Sequence, residues 1–154
     1  MLKKRIWEIL ELSKENDNQS KYFDYFISVL ILLNVVAIIL ETEKALVIDY
    51  EAFFKYFELF SIFIFSVEYL LRFWSCVSAK VYNNPVIGRI KYLFSPLAII
   101  DLIAIAPFYM TFFVVDTRIL RILRLLRLLR ITKHFRYSKT FHIIISTIEK
   151  KKEE

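Results

Sequence analysis

Seven basic residues recur at every third position toward the end of the chain: Arg118, Arg121, Arg124, Arg127, Arg130, Lys133 and Arg136. The residues between them are nearly all isoleucine or leucine. No bond-making chemistry needs such a row. Its chemistry is electrostatic: permanent charges that must be offset, and that an applied field could move. Arginine suits the task because its charge persists where a lysine can deprotonate, and its fork of donors engages carboxylates or phosphates. A matching set of acids stands in or beside apolar blocks, at Glu41, Glu58, Glu68 and Asp101. Glu58, Phe65 and Glu68 are spaced seven and three residues apart, broadly on one face of a helix. Glu41 and Glu58 are expected at one level of that helix bundle and Glu68 and Asp101 at another, with Phe65 between them as an apolar plug. These four acids are the candidate counter-charges and the seven basic residues the candidate moving charges. Glu68 and Arg72 are also spaced to form a local i,i+4 pair.

Most other chemistries find no purchase. The single Cys76 permits no internal disulfide and fits no metal motif, and no catalytic set or cofactor loop is legible. No enzyme activity, cofactor or metal is therefore expected. The formal net charge of +6 can accompany nucleic-acid binding. Here, however, the basic residues either flank apolar blocks or are threaded through one of them, so no nucleic-acid partner is expected.

The elements that must hold these groups follow from the apolar blocks. In a chain of 154 residues that is 57% hydrophobic and has one glycine, those blocks approach the length needed to cross ~30 Å of hydrocarbon. Four segments are expected at about 22–40, 53–74, 96–115 and 117–133. Pro96 suits the first turn of the third, Pro107 should kink or divide it, and Asp116-Thr117 reads as an N-cap signal for the fourth. Residues 1–15 read as a short amphipathic helix lying along the interface, 22–133 as the bundle, and 134–154 as a cytoplasmic linker. The predicted fold class is an all-α membrane protein, an antiparallel four-helix transmembrane bundle with a short N-terminal interfacial helix and a C-terminal linker helix. The loop from Ser75 to Ser95 and the N-terminal stretch are basic, whereas Glu41 to Glu51 is acidic, which puts both termini in the cytoplasm of a multi-pass protein of the cell membrane. Three crossings, with the basic segment lying on the surface, are the main competing arrangement.

A surface helix would repeat its charges at three and four so that they kept to one polar face. An unbroken threefold repeat instead turns through about 300° per step on an α-helix, and lines up on one face of a 3₁₀ helix. Moving one charge across the whole potential is worth ~2.3 kcal/mol per 100 mV, so three charges give ~7 kcal/mol. Only ~5.5 kcal/mol takes a two-state balance from 1:99 to 99:1.

The pattern resembles the voltage-sensor domain, the first four transmembrane helices, of voltage-gated potassium channels. The residues that carry the resemblance are Glu58, then Phe65-Ser66-Val67-Glu68 with Arg72-Phe73, then Asp101-Leu102-Ile103-Ala104-Ile105-Ala106-Pro107. Glu41-Thr42, the basic row and Arg136-Tyr137-Ser138-Lys139 match as well. The resemblance implies voltage sensing by movement of the fourth helix, coupled in a longer protein to a potassium-selective pore that this chain lacks. It also implies contact with membrane lipids, a pore domain of the same polypeptide as partner, and a tetramer assembled through that pore. A self-contained voltage-gated proton channel is one alternative, but its acid midway along the first segment is replaced here by Asn34. The sensor of a voltage-regulated enzyme is another, but no Cys-x₅-Arg loop is present.

Overall fold

The computed structural model describes residues 2–10, 17–79, 84–114 and 116–135, and among them every regular element is helical. In chain order these are α1 (Leu2–Leu10), α2 (Asn18–Leu40), α3 (Lys44–Ser75), α4 (Ile87–Leu93), α5 (Pro96–Met110), α6 (Thr117–Leu126) and α7 (Thr132–Phe135). A 3₁₀ turn, Cys76–Ser78, follows α3, and a second, Arg127–Ile131, joins α6 to α7.

Local chemistry accounts for most of the boundaries. The Asp17 side chain accepts from the Gln19 N–H and starts α2 four residues before the expected position. Ser95 caps the Ala98 N–H and Pro96 occupies the first turn of α5, as its fixed φ favours. Asp116 accepts from the Arg118 N–H at 2.8 Å and starts α6 where the sequence places an N-cap. The helix α3 is longer than expected because it begins at Lys44, inside the acidic stretch read as a connection. A non-helical Tyr50, at φ −124° and ψ 23°, kinks it there. Pro107 lies inside α5, which continues for only three residues beyond it to Met110.

Two of these helices are long and apolar enough to cross a membrane: Asn18–Leu40, and Leu46–Ser78, which takes in the 3₁₀ turn after α3. The pair α4 and α5 passes the same test only jointly, and it is bent by 63° at Phe94-Ser95; counted as one span it raises the number to three. The expected antiparallel four-helix transmembrane bundle is therefore not what the described residues form. They form an all-α fold with two membrane-length helices and several shorter amphipathic ones. The reason lies in the residues themselves. The basic segment is split into a ten-residue α6, a five-residue 3₁₀ turn and a four-residue α7. A charge at every third position leaves it no apolar stretch of spanning length. The potassium-channel voltage-sensor resemblance implies four such helices, so its architecture is corrected with the fold class. Two spans suffice for a multi-pass membrane protein. Leu32, Leu33 and Ile39 on α2 and Phe53, Phe63 and Leu70 on α3 are exposed apolar side chains where membrane lipid is the natural partner.

The interior has two apolar clusters. Ile27, Leu30 and Ile31 of α2 pack with Phe65 of α3 and Ile105 of α5. Cys76, Tyr92 and Ala98 form the second, against which Trp7 of α1 and Phe73 pack. The helix α1 lies on α2 and α3, and the basic segment lies against α2 and α5. The expected linker, from residue 136 onward, is outside the described residues.

Candidate functional site

Two ion-pair centres hold the basic segment to the other helices. In the first, Glu58 of α3 receives two guanidinium groups: Arg127 at 2.8 Å and Arg130 at 3.1 Å. Arg130 also donates to the Asn34 side-chain oxygen at 2.9 Å. The Asn34 amide is fixed in turn, donating to the Ser61 hydroxyl at 2.9 Å and to the Leu30 carbonyl at 2.8 Å, while Ser61 donates to the Phe57 carbonyl. Asn34 and Ser61 are both buried, so this chain aims the amide oxygen at Arg130 and leaves it little choice of orientation. A crevice of about 10 Å³, room for about one water, opens beside the centre and is lined in part by Glu41, Glu58, Arg127 and Arg130. Glu58 and Arg127 each retain 16% of their side-chain exposure there.

In the second centre Lys133 meets Glu68 at 2.6 Å and Asp101 at 3.7 Å. Arg72, one turn beyond Glu68 on α3, binds the same two carboxylates and lies 3.0 Å from Asp101. All four side chains are at most 1% exposed. Among the described residues two cations thus meet two carboxylates in a buried site, the condition under which burying charge is tolerated. Phe65, wholly buried, lies beside this centre, with the Lys133 ammonium 4.3 Å from the middle of its ring. That distance is a cation–π contact, so the ring faces a charge as well as the apolar cluster.

The 3₁₀ turn explains how successive basic residues reach these partners. Over Arg127–Ile131 the threefold spacing coincides with the helical period, so Arg127 and Arg130 share one face, and Lys133 follows at the same spacing in α7. Farther up, in α6, the same spacing drifts round the helix, and Arg118 and Arg124 are exposed. Arg121 belongs to α6, and Arg136 lies outside the described residues. Of the expected acids, Glu58, Glu68 and Asp101 carry ion pairs, and Glu41 lines the crevice. Sequence reasoning gave no site role to Asn34 or Ser61. It read Arg72 as a helix-local partner of Glu68, and nothing in its i,i+4 spacing signals the bond to Asp101.

Comparison with known proteins bears on what this arrangement is for. Residues 20–150 match the family model described as ion transport protein. This chain belongs to the ion transport protein family. Members of that family are transport proteins and not enzymes, so the expectation of no enzyme activity rests on family membership. The chain is also 30% identical over 145 residues to a protein of Rhodopseudomonas palustris named "Putative potassium channel protein". The match takes in 93% of this chain and 35% of that protein, so the chain spans about a third of its relative's length.

The functional expectation is corrected accordingly. Voltage sensing by a fourth crossing helix, coupled to a potassium-selective pore, needs four membrane-length helices, and the described residues supply two, or three with the bent pair. The same count removes the architectural basis of the lone proton channel and of the sensor attached to an enzyme. What the comparisons show for this chain is membership of the ion transport protein family, and neither voltage gating nor potassium selectivity comes with it.

Proposed function

We propose that the chain is a membrane-embedded charge clamp of an ion transport protein, in which two acid centres hold a basic segment in one of several discrete registers beside the ion pathway. The observation that carries this reading is the division of three successive basic residues between two centres: Arg127 and Arg130 on Glu58, and Lys133 on Glu68 and Asp101. Because the row continues at the same spacing on either side, a shift of three residues would bring an equivalent cation to each centre. A clamp of this kind has discrete alternative states of similar energy, which is what a transport protein needs of a part that changes conformation. Phe65 and the cluster around it would keep the two levels apart. The seven basic residues from Arg118 to Arg136 are then the exchangeable cations, and Glu41, Glu58, Glu68 and Asp101 the counter-charges.

In this reading residues 22–133 are the clamp, 1–15 an N-terminal interfacial segment, and 134–154 a connection toward a conducting domain of the same polypeptide, through which four copies would assemble. Lys3, Lys4, Arg5, Arg89 and Lys91 against Glu41, Glu43, Asp49 and Glu51 support placing both termini in the cytoplasm.

Ion flux through the full-length polypeptide reconstituted in liposomes tests the proposal. Glu58→Gln is expected to change flux at least tenfold, and pairing Glu58→Arg with Arg130→Glu to restore a substantial part of it. Flux unchanged by Glu58→Gln, or a double variant no better than Glu58→Arg alone, would remove the clamp from transport.

A further inference from the structure

Arg72 does more than neutralise carboxylates. Its guanidinium has two working edges. One meets Glu68 and Asp101, while Nε and a terminal nitrogen both donate to the Leu10 carbonyl, at 3.3 and 3.0 Å. Leu10 is the last residue of α1 and is itself 4% exposed. The carbonyl before it, on Ile9, accepts from the Ser20 hydroxyl at 3.0 Å. The C-terminal end of α1, the negative pole of its dipole, is therefore seated on a buried arginine that the Lys133 centre also uses. The rest of α1 is held by contacts remote from the ions: Trp7 edge-on to Tyr92 at 6.0 Å, Lys3 over Trp74 at 5.0 Å, and Arg5 on Asp17 at 2.7 Å.

We propose that α1 is a detachable cap on the second ion-pair centre, coupled to the seating of Lys133 through the shared guanidinium of Arg72. With Lys133 in place, it shares the two carboxylates with Arg72, and Arg72 can spend one edge on the Leu10 carbonyl. With Lys133 withdrawn, the carboxylates lose a cation and draw harder on Arg72, and the guanidinium is drawn off the carbonyl. By linkage the effect runs both ways: undocking α1 leaves Arg72 donors without their acceptor and admits water beside Glu68 and Asp101, which loosens Lys133. The N-terminal segment thereby becomes a place where a modification, a lipid or a partner could bias the basic segment. The inference rests on the packing and not on the part the centres play in transport.

Hydrogen–deuterium exchange of the chain in phospholipid nanodiscs tests it, with the amides of α2 and α5 as the internal check of fold. Arg72→Lys keeps a cation at the carboxylates but lacks the fork that spans to Leu10. It is expected to speed exchange in residues 2–10 about tenfold and in residues 127–135 severalfold. Lys133→Met is expected to speed exchange in residues 2–10 by a similar factor, although it touches none of them. Trp7→Ala, which loosens α1 from a site away from the ions, should speed exchange in residues 127–135 severalfold. Unchanged α1 exchange in both Arg72→Lys and Lys133→Met, or loosened α1 in Trp7→Ala with residues 127–135 unaltered, would overturn the coupling.

Discussion

The two ion-pair centres solve the same problem by different means. At Glu58 one carboxylate takes two arginines directly beside a water-sized crevice that Glu41 also lines, and an amide, Asn34, takes up part of the donor capacity. At Glu68 and Asp101, among the described residues, two cations meet two carboxylates directly with almost no exposure. A site with some water access need not pair every charge in direct contact, because solvent screens the remainder. A dry one cannot, because an uncompensated buried ion costs several kcal/mol. The first centre is accordingly the one built for exchange of its cations, and the second the one that fixes register.

The contrast makes unequal predictions. Asp101→Asn should be the most damaging, because it removes one of the two carboxylates that Arg72 and Lys133 share at almost no exposure. A loss of about 3–5 kcal/mol is expected from thermal unfolding in lipid nanodiscs. If Asp101→Asn costs no more than Glu58→Gln, the two centres are not different in kind. Glu58→Gln should itself cost about 1–3 kcal/mol, since the amide still accepts hydrogen bonds and the crevice lets water reach the arginines. Asn34→Leu should fall in the same range or below it, because it removes the acceptor of Arg130 and the donor to Ser61 together. Combined with Glu58→Gln it should be non-additive, as expected for two partners of one guanidinium.

Much of this was legible in the residues, and the part that was not has identifiable causes. The span α2, Pro96 in the first turn of α5 and the cap at Asp116 rest on apolar runs and short-range turn chemistry, which a sequence displays directly. The early start of α3 was hidden because its first turns, Lys44 to Glu51, are as charged as a loop and fold into the helix only through the kink at Tyr50. The expected fourth span failed for the opposite reason: its periodicity was strong, but periodicity says which residues share a face and not how long a helix persists. The acids Glu58, Glu68 and Asp101 stood out as charges in apolar blocks. Asn34, Ser61 and the Leu10 carbonyl did not, since their roles depend on which side chain arrives from a distant segment, and a carbonyl leaves no trace in residue type.

The smallest effect concerns the ion pair between Arg5 of α1 and Asp17 at the start of α2. Hydrogen bonding from Arg5 holds the Asp17 carboxyl below its ordinary value. A lowered folded-state value means that the pair contributes above the ordinary carboxylate range, and that its contribution is lost as pH falls through the lower folded value. An NMR titration of Asp17 should therefore give a midpoint below 3.8, returning toward it in Arg5→Met. The same midpoint in both proteins would detach Arg5 from Asp17.

The central claim is that Lys133 is held by a buried carboxylate centre and not merely placed near one. A double-mutant cycle of Lys133→Met and Glu68→Gln, followed by thermal unfolding in lipid nanodiscs, measures this directly. The account predicts a coupling of at least ~2 kcal/mol, with the double variant less damaged than the sum of the single ones. Additivity within ~0.5 kcal/mol would contradict it, because residues that do not share an interaction combine in that way.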